Sequence, residues 1–391
     1  MFIKLCMIKK SAIKKLRRLV LSWVAVMLLA PAAAAVPDRF TLSLGAQEYW
    51  DSNFARTADV DSEHYTRSVA SLAFNEQLSK QDFSLGVSGN RYEYAQRDDL
   101  DVDFYKGNAH WRSEWSQRVK TSLNWTRDAY VVDRLEFASK DVVSLDNFTG
   151  QIILGTNKHV GITLGGRQVA QTHSNELREF LDFDEEEWFV AGTYTTANKS
   201  FLSLRLREGE RWYVHMVPGD LRMLDFDYRQ LELEGSWALT RKTQLGFTVG
   251  RFKREGEIND GTGTVAVVDL AWAISEKLKL ALSYSQSEPA AGETSDSPAD
   301  VRTSKIALNW ELSSKWLFSM DAGYSDQTYL PRLALPARDE TITTFSPLAL
   351  TYKFSELINI RFDSQWVDRE SPLLYRDYDY ALASLGLTLV F

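Results

Sequence analysis

A period of two runs through nearly the whole chain, and it restricts the fold more than any other feature. In "LINIRFDSQW", Ile358, Ile360, Phe362 and Trp366 fall on one side, with Asn359, Arg361, Asp363 and Gln365 on the other. "KIALNWEL" sets Ile306, Leu308, Trp310 and Leu312 against Lys305, Ala307, Asn309 and Glu311, and "VDLAWAI" repeats the pattern around Trp272. Only a strand brings residues i and i+2 to one face. The large apolar residues share a face, while the other mixes Gly, Ala, Ser and Thr with full charges. A soluble sandwich also alternates, so alternation alone leaves sandwich and barrel both open.

Segment length and spacing separate them. Strand-like segments occur near 38–53, 64–78, 81–96, 100–115, 117–131, 141–156, 158–173, 184–196 and 199–213. The second half adds 225–239, 241–255, 263–275, 277–288, 299–313, 315–328, 339–354, 356–369 and 376–391. Every second connection is tight ("SK", "SQ", "TNK", "ANK", "TRK", "SEK", "SSK", "SE"), and those between are longer and rich in Asp, Glu, Pro and Gly. Long strands joined alternately by short turns and longer loops predict an all-β fold, a transmembrane antiparallel up-and-down β-barrel of about 18 strands. Sandwich strands are shorter, and their loops have no reason to alternate in length. Pro347 falls inside a segment and requires a bulge. The phase slips between Tyr228 and Leu231, and sixteen strands is the alternative count.

One phrase recurs: "WALTRKTQLGF" from Trp237, "WAISEKLKLAL" from Trp272 and "WELSSKWLFSM" from Trp310. Each is expected to be a hairpin at the periplasmic rim. The Trp faces lipid near the interface, and Ser or Thr with Lys forms the wet turn. At the opposite rim, "LDVDFY", "DFDY" and "RDYDY" are expected to send Tyr and Phe into an outer aromatic girdle with Asp pointing the other way. "LDFDEEEW" from Leu181 reads as the same device extended into a loop. The last strand, "ALASLGLTLVF", ends in Phe391 with Leu385, Leu387 and Leu389 on its face. Such an ending resembles the recognition signal for the outer-membrane insertion machinery.

The first 35 residues differ. Seven Lys or Arg and no acid precede an apolar run, "LVLSWVAVMLLA", that ends in "PAAAA". The run is short of the ~20 residues a spanning helix needs, so residues 1–35 read as a secretory signal peptide and 36–391 as the barrel. Losing those seven cations leaves 38 basic against 53 acidic residues, a net charge of −15. So acidic a chain repels phosphate backbones, and nucleic acid is not an expected partner. The one cysteine, Cys6, leaves with the signal, excluding disulfides and zinc–thiolate sites.

A closed barrel satisfies its own backbone, so lumen side chains and loops carry any function. By phase the lumen candidates are Lys120, Arg167, Arg205, Arg207, Asp269, Lys305, Glu311, Asp321, Arg361 and Asp363. They either pair with one another along a wet wall or form a selectivity lining of both signs. "HSN" at 173–175 has hydrolase residue types, but adjacent strand side chains point apart and cannot converge as nucleophile, base and orienter. With no HExxH, GxSxG or P-loop, no enzyme, catalytic residue or cofactor is expected. Asp182, Asp184, Glu185 and Glu186 could hold a divalent cation. They lack the glycine and ligand rhythm of an EF-hand, so a solvated loop is preferred and no metal is expected. The longest loops, about 173–184, 214–224 and 289–298, look too short to fold inward, which predicts a wide aqueous conduit.

"FTLSLGAQEYWDSNFAR", from Phe40 to Arg56, resembles the opening of the EpsL-type outer-membrane β-barrel family of exopolysaccharide operons. There a Tyr-Asp-Ser-Asn stretch followed by Arg closes the first strand. Here Trp50 is inserted between Tyr49 and Asp51. The resemblance implies an outer-membrane pore that passes a polysaccharide chain, working with periplasmic export machinery and an inner-membrane polymerase or flippase. From the residues alone, a passive porin for small or oligosaccharide solutes is the alternative. Bacterial outer-membrane lipid is the expected surrounding of either.

Overall fold

A computed structural model of the chain describes residues 39–57, 61–155, 159–215, 223–331 and 336–391. Its strands are β1 (Phe40–Asp51), β2 (Glu63–Leu78), β3 (Gln81–Tyr94), β4 (Val102–Glu114), β5 (Val119–Val131) and β6 (Val142–Gly155). They continue as β7 (Val160–His173), β8 (Phe183–Thr195), β9 (Phe201–Tyr213), β10 (Phe226–Ala238), β11 (Thr243–Gly256) and β12 (Gly261–Ala273). The last six are β13 (Leu278–Ser287), β14 (Asp300–Glu311), β15 (Trp316–Tyr329), β16 (Arg338–Lys353), β17 (Ile358–Glu370) and β18 (Tyr378–Val390). Each pairs antiparallel with its neighbours in sequence, and β1 pairs with β18, closing one 18-stranded barrel. The count is eighteen, not the alternative sixteen. Phe391 and Leu42 exchange backbone hydrogen bonds at the seam (2.8 and 3.0 Å). The expected signal peptide, residues 1–35, and the turn at 156–158 lie outside the described residues.

The alternation has the physical origin the pattern suggested. Exposed large apolar residues form an outward band that includes Leu85, Val87, Ile152, Ile162, Leu204, Val249, Leu282, Ile306 and Leu385. Trp237, Trp272 and Trp310 stand exposed at the short-turn end, as a lipid interface favours. The recurring phrase is a turn. The Ser116, Thr240, Ser275, Ser313 and Ser355 N–H groups each donate to the carbonyl three residues on. Their hydroxyls accept the N–H two residues on, at 3.1 to 3.3 Å. The side chain thus closes what the backbone of a tight hairpin leaves open.

Pro347 does sit at a register shift, where β16 slips against both neighbours. The supposed slip near Tyr228 does not exist: β10 keeps an unbroken register from Phe226 to Ala238. With Leu231 facing out, Tyr228 faces in, where its hydroxyl donates to Glu187 (2.6 Å). The rim assignment for "LDVDFY", "DFDY" and "RDYDY" is reversed for the same reason, except at Tyr105, which pairs with Gly89 and stands exposed on the outer face as expected. Phe104 stacks on Tyr92, Phe226 is buried, and Tyr380 lies under the Arg56 guanidinium, all on the inner side. Asp103, Asp227 and Asp379 alternate with them and face outward. Above the hydrocarbon band both faces meet polar surroundings, so residue polarity no longer labels the face.

"LDFDEEEW" is also not a loop. A short 3-10 helix, Glu176–Leu181, precedes it, and β8 starts at Phe183. Glu185 therefore faces the lumen while Asp184 and Glu186 face out, and Asp182 accepts from both nitrogens of His173, backbone and ring (each 2.8 Å). Four carboxylates divided between two faces cannot share a cation.

Candidate functional site

All ten lumen candidates project from the inner face of the wall. Arg167, Arg205 and Arg207 belong to a lattice across β7–β10. Arg207 binds Glu187 (2.6 Å) and Glu232 (3.1 Å), and Arg205 binds Glu234 (3.1 Å). Arg167 lies 3.7 Å from Glu185, which is held at 2.6 Å by Arg211. The partners Glu185, Glu187, Glu232, Glu234, Arg211 and Tyr228 were not among the candidates, although strand parity alone would have placed them there. Four arginines meet four glutamates, so this wall is close to neutral and rigidly cross-linked. Gly209 makes room for it: a Cβ there would come 2.8 Å from the Tyr228 hydroxyl and 2.5 Å from the Glu186 carbonyl.

The remaining candidates are scattered. Lys120 pairs with Glu114 (2.5 Å), Arg361 with Asp363 (2.7 Å), and Glu311 lies 3.9 Å from Lys279. Asp321 accepts the Ser346 hydroxyl (3.0 Å). Asp269 and Lys305, on β12 and β14, make no ion pair among the described residues.

The expected wide conduit is not what the mouth shows. The β13–β14 connection, residues 288–299, folds inward over the long-loop end. On the β9–β12 side, Glu293 binds Arg211 (3.2 Å), the Tyr213 hydroxyl donates to the Ala291 carbonyl (3.3 Å), and buried Asn259 grips Ala291 at both N–H and C=O (2.6 and 3.1 Å). Gly292 passes Tyr213 and Leu224 at φ +95°, a conformation and clearance that a side chain would strain. On the β15–β18 side, Asp296 binds Arg338 and, at 3.3 Å, Arg376. Both arginines converge with Arg369 on Glu340, whose side chain is wholly buried. Across the lumen, the Ser295 N–H donates to Glu136 of the β5–β6 loop (3.4 Å), which in turn binds Arg178.

The β5–β6 loop lies eight strands round the ring from the β13–β14 loop, almost diametrically opposite. Eighteen strands about 4.8 Å apart and tilted by roughly 40° give a diameter on the order of 35 Å. Half of a twelve-residue loop reaches about 20 Å when extended, enough to meet a loop arriving from the other side. Judged against the full diameter the loop is too short; judged against the radius it suffices.

Beside this strap, the β1–β5 wall carries a second feature. Tyr49 stacks on Tyr65 (4.7 Å between ring centres), Tyr65 on Tyr92 (6.0 Å), and Tyr92 on Phe104 (5.9 Å). Tyr65, Tyr92 and Phe104, roofed by Phe54, Arg56, Asp133 and Arg134, line a cavity of about 270 Å³ that also holds Arg67 and Lys106. The Arg56 Nε, Arg67 Nε and Arg134 Nη2 atoms are buried without a hydrogen-bond partner. The Tyr49–Arg56 stretch explains the roof. Arg56, at φ +57°, forms a double hydrogen bond with buried Asp51 (2.7 and 2.8 Å) and lies 3.6 Å over the Tyr380 ring. Asn53 reaches the Asp379 carbonyl (3.0 Å), fastening the first loop to the last strand. Burial alone would lower the Arg56 pKa; the hydrogen bond and charge of Asp51 outweigh it and raise the pKa.

No family model matches the sequence, and no curated protein matches it. Solved structures of similar fold do exist. The outer membrane protein OpdK from Pseudomonas aeruginosa aligns over 91% of this chain and 100% of its own, at TM-score 0.50 and 10% identity. OccK2 (OpdF) from the same species aligns over 90% and 98%, at TM-score 0.52 and 13% identity. A BenF-like porin from Pseudomonas fluorescens Pf-5 aligns over 90% and 99%, at TM-score 0.52 and 11% identity. The protein is a bacterial outer-membrane β-barrel. Its fold is shared with porins, and these comparisons lend no support to the EpsL-type resemblance of Phe40–Arg56.

Proposed function

We propose that the barrel is a non-enzymatic diffusion channel for small solutes, narrowed by its β13–β14 loop. The observation that carries this is the strap itself, tied to three separate sectors of the rim by Glu293, Asp296 and Ser295. A mouth crossed by an ion-paired loop suits molecules a few ångströms across and obstructs a continuous polymer. The exopolysaccharide-export reading, with its polysaccharide and export-machinery partners, is therefore the second choice. The aromatic cavity beside the strap favours a solute with a flat ring and an acidic group, since its arginines keep unpartnered N–H donors. OpdK, one of the barrels of similar fold, has been solved with vanillate.

Planar-bilayer conductance and liposome swelling with the refolded mature chain test the proposal. A small, discrete conductance with uptake falling steeply as solute size rises is expected. A silent barrel, or a large conductance blocked from one side by a polysaccharide, would overturn it.

A further inference from the structure

The outer wall holds a hollow that solute passage does not use. On β18 the outward residues near the long-loop rim are Ala381 and Ala383, flanked by Trp366 of β17 and Trp50 of β1. The register sets Trp366 against Ala381 and Trp50 against Ala383. Two alanines between two tryptophans leave a cavity of about 490 Å³, bounded also by His64, Ser364 and the bulge at Pro347. The Ser364 and Glu48 polar groups turn away from it. The Ser364 hydroxyl donates to the Leu348 carbonyl (3.1 Å), and Glu48, below Trp50, accepts the Thr66 hydroxyl on the β2 side (2.5 Å).

One step higher, Asp368 of β17 stands directly opposite Asp379 of β18, with Glu370 and Asp377 next above. Like charges facing across a strand pair destabilise it. Among the described residues none of these four carboxylates makes an ion pair. An apolar hollow at the height of an outer girdle has hydrocarbon, not water, as its solvent. The carboxylates over it repel a bare phosphate and accept one that brings its own divalent cations.

We propose that the Trp50–Trp366 groove seats one acyl chain of an outer-leaflet lipopolysaccharide molecule, whose phosphates are joined to the carboxylates above by divalent cations. The groove lies outside the barrel, so the proposal stands or falls independently of conductance.

Titrating the detergent-refolded barrel with lipid A, with and without magnesium, and counting bound lipid by native mass spectrometry tests it. One magnesium-dependent lipid A per barrel is expected. Ala383→Phe, which fills the groove, should weaken binding at least tenfold, while Ala266→Phe, outward on β12, should not. Asp368→Asn with Asp379→Asn should remove the magnesium dependence. If Ala383→Phe fails to fold, judged by heat-modifiable migration, Trp366→Ala replaces it with the same expected loss. Undiminished binding in the groove variants, equal binding of phosphatidylglycerol, or a barrel that self-associates until Ala383→Phe makes it monomeric would each overturn the proposal.

Discussion

Asp296→Ala tests whether the crossing loop controls the mouth. Asp296 is the loop's link to the β15–β18 sector, through Arg338, whose side chain is 1% exposed, and Arg376. Hydrogen bonds to charged groups contribute ~1.5–3 kcal/mol each, and Arg338 keeps Glu340 as a partner after the change, so the net loss is about 2 kcal/mol. At about 1.4 kcal/mol per factor of ten, the undocked share of the loop rises roughly thirtyfold. The cluster also changes charge. Three arginines against Glu340 and Asp296 carry one net positive charge, and removing Asp296 makes it two. Single-channel recordings should therefore show more frequent high-conductance openings and a shift toward anion selectivity. Replacing 290–297 by two glycines should give the same high conductance permanently. Unchanged conductance in both variants would refute the loop as the constriction, whatever else the barrel does.

Other outcomes follow from the same geometry. Gly292→Ala, forced to φ +95° and against Tyr213, should cost the docked loop about 1–3 kcal/mol and reproduce the Asp296 phenotype in the same recordings. Arg56→Ala leaves the Asp51 carboxylate, 1% exposed, without its partner, and should cost about 3–5 kcal/mol, read as a lower temperature of heat-modifiable migration; Arg56→Lys should rescue little because the contact is bidentate. Ser275→Ala removes one turn-closing hydroxyl and should cost ~1 kcal/mol or less by the same assay. Arg67→Ala should lower uptake of small ring-bearing acids in swelling assays while leaving neutral solutes of equal size unaffected.

The barrel was legible because the lipid acts as a second solvent. Wherever a strand crosses hydrocarbon, one face must be apolar, and residues such as Leu204, Val249 and Ile306 declare it. Counting from those residues gives the inner face, and by that parity the ten lumen candidates share it. The misreadings sit where the hydrocarbon stops. At Phe104, Phe226 and Tyr380 hydrophobicity no longer labels the face, and parity from the band below points inward. The apparent slip near Tyr228 was that same signal: Leu231 and Tyr228 differ by an odd number, so they belong on opposite faces. The strap was illegible for another reason. Its anchors, Glu293, Asp296, Arg338 and Arg376, come from segments far apart in the chain, and nothing local to any of them marks a partner.

The two halves of the inner wall point to different roles for charge. Across β7–β10 each arginine meets glutamates on neighbouring strands, so a passing anion would have to displace an existing partner within about 4 Å of the cation. Such a lattice stiffens the wall on which the strap rests and has little charge left to offer. On the β1–β5 wall Arg67 differs: it donates to the neutral Asn90 amide (2.8 Å) and makes no ion pair among the described residues. A solute's acid group there meets a cation without a carboxylate partner, and gains more than it would at an arginine already ion-paired. Selectivity should therefore respond to Arg67 and Arg134 and be nearly indifferent to Arg205, although Arg205 lies equally in the lumen. Matched alanine variants in the same uptake assay decide it: a larger effect from Arg205→Ala than from Arg67→Ala would place the solute path along the opposite wall.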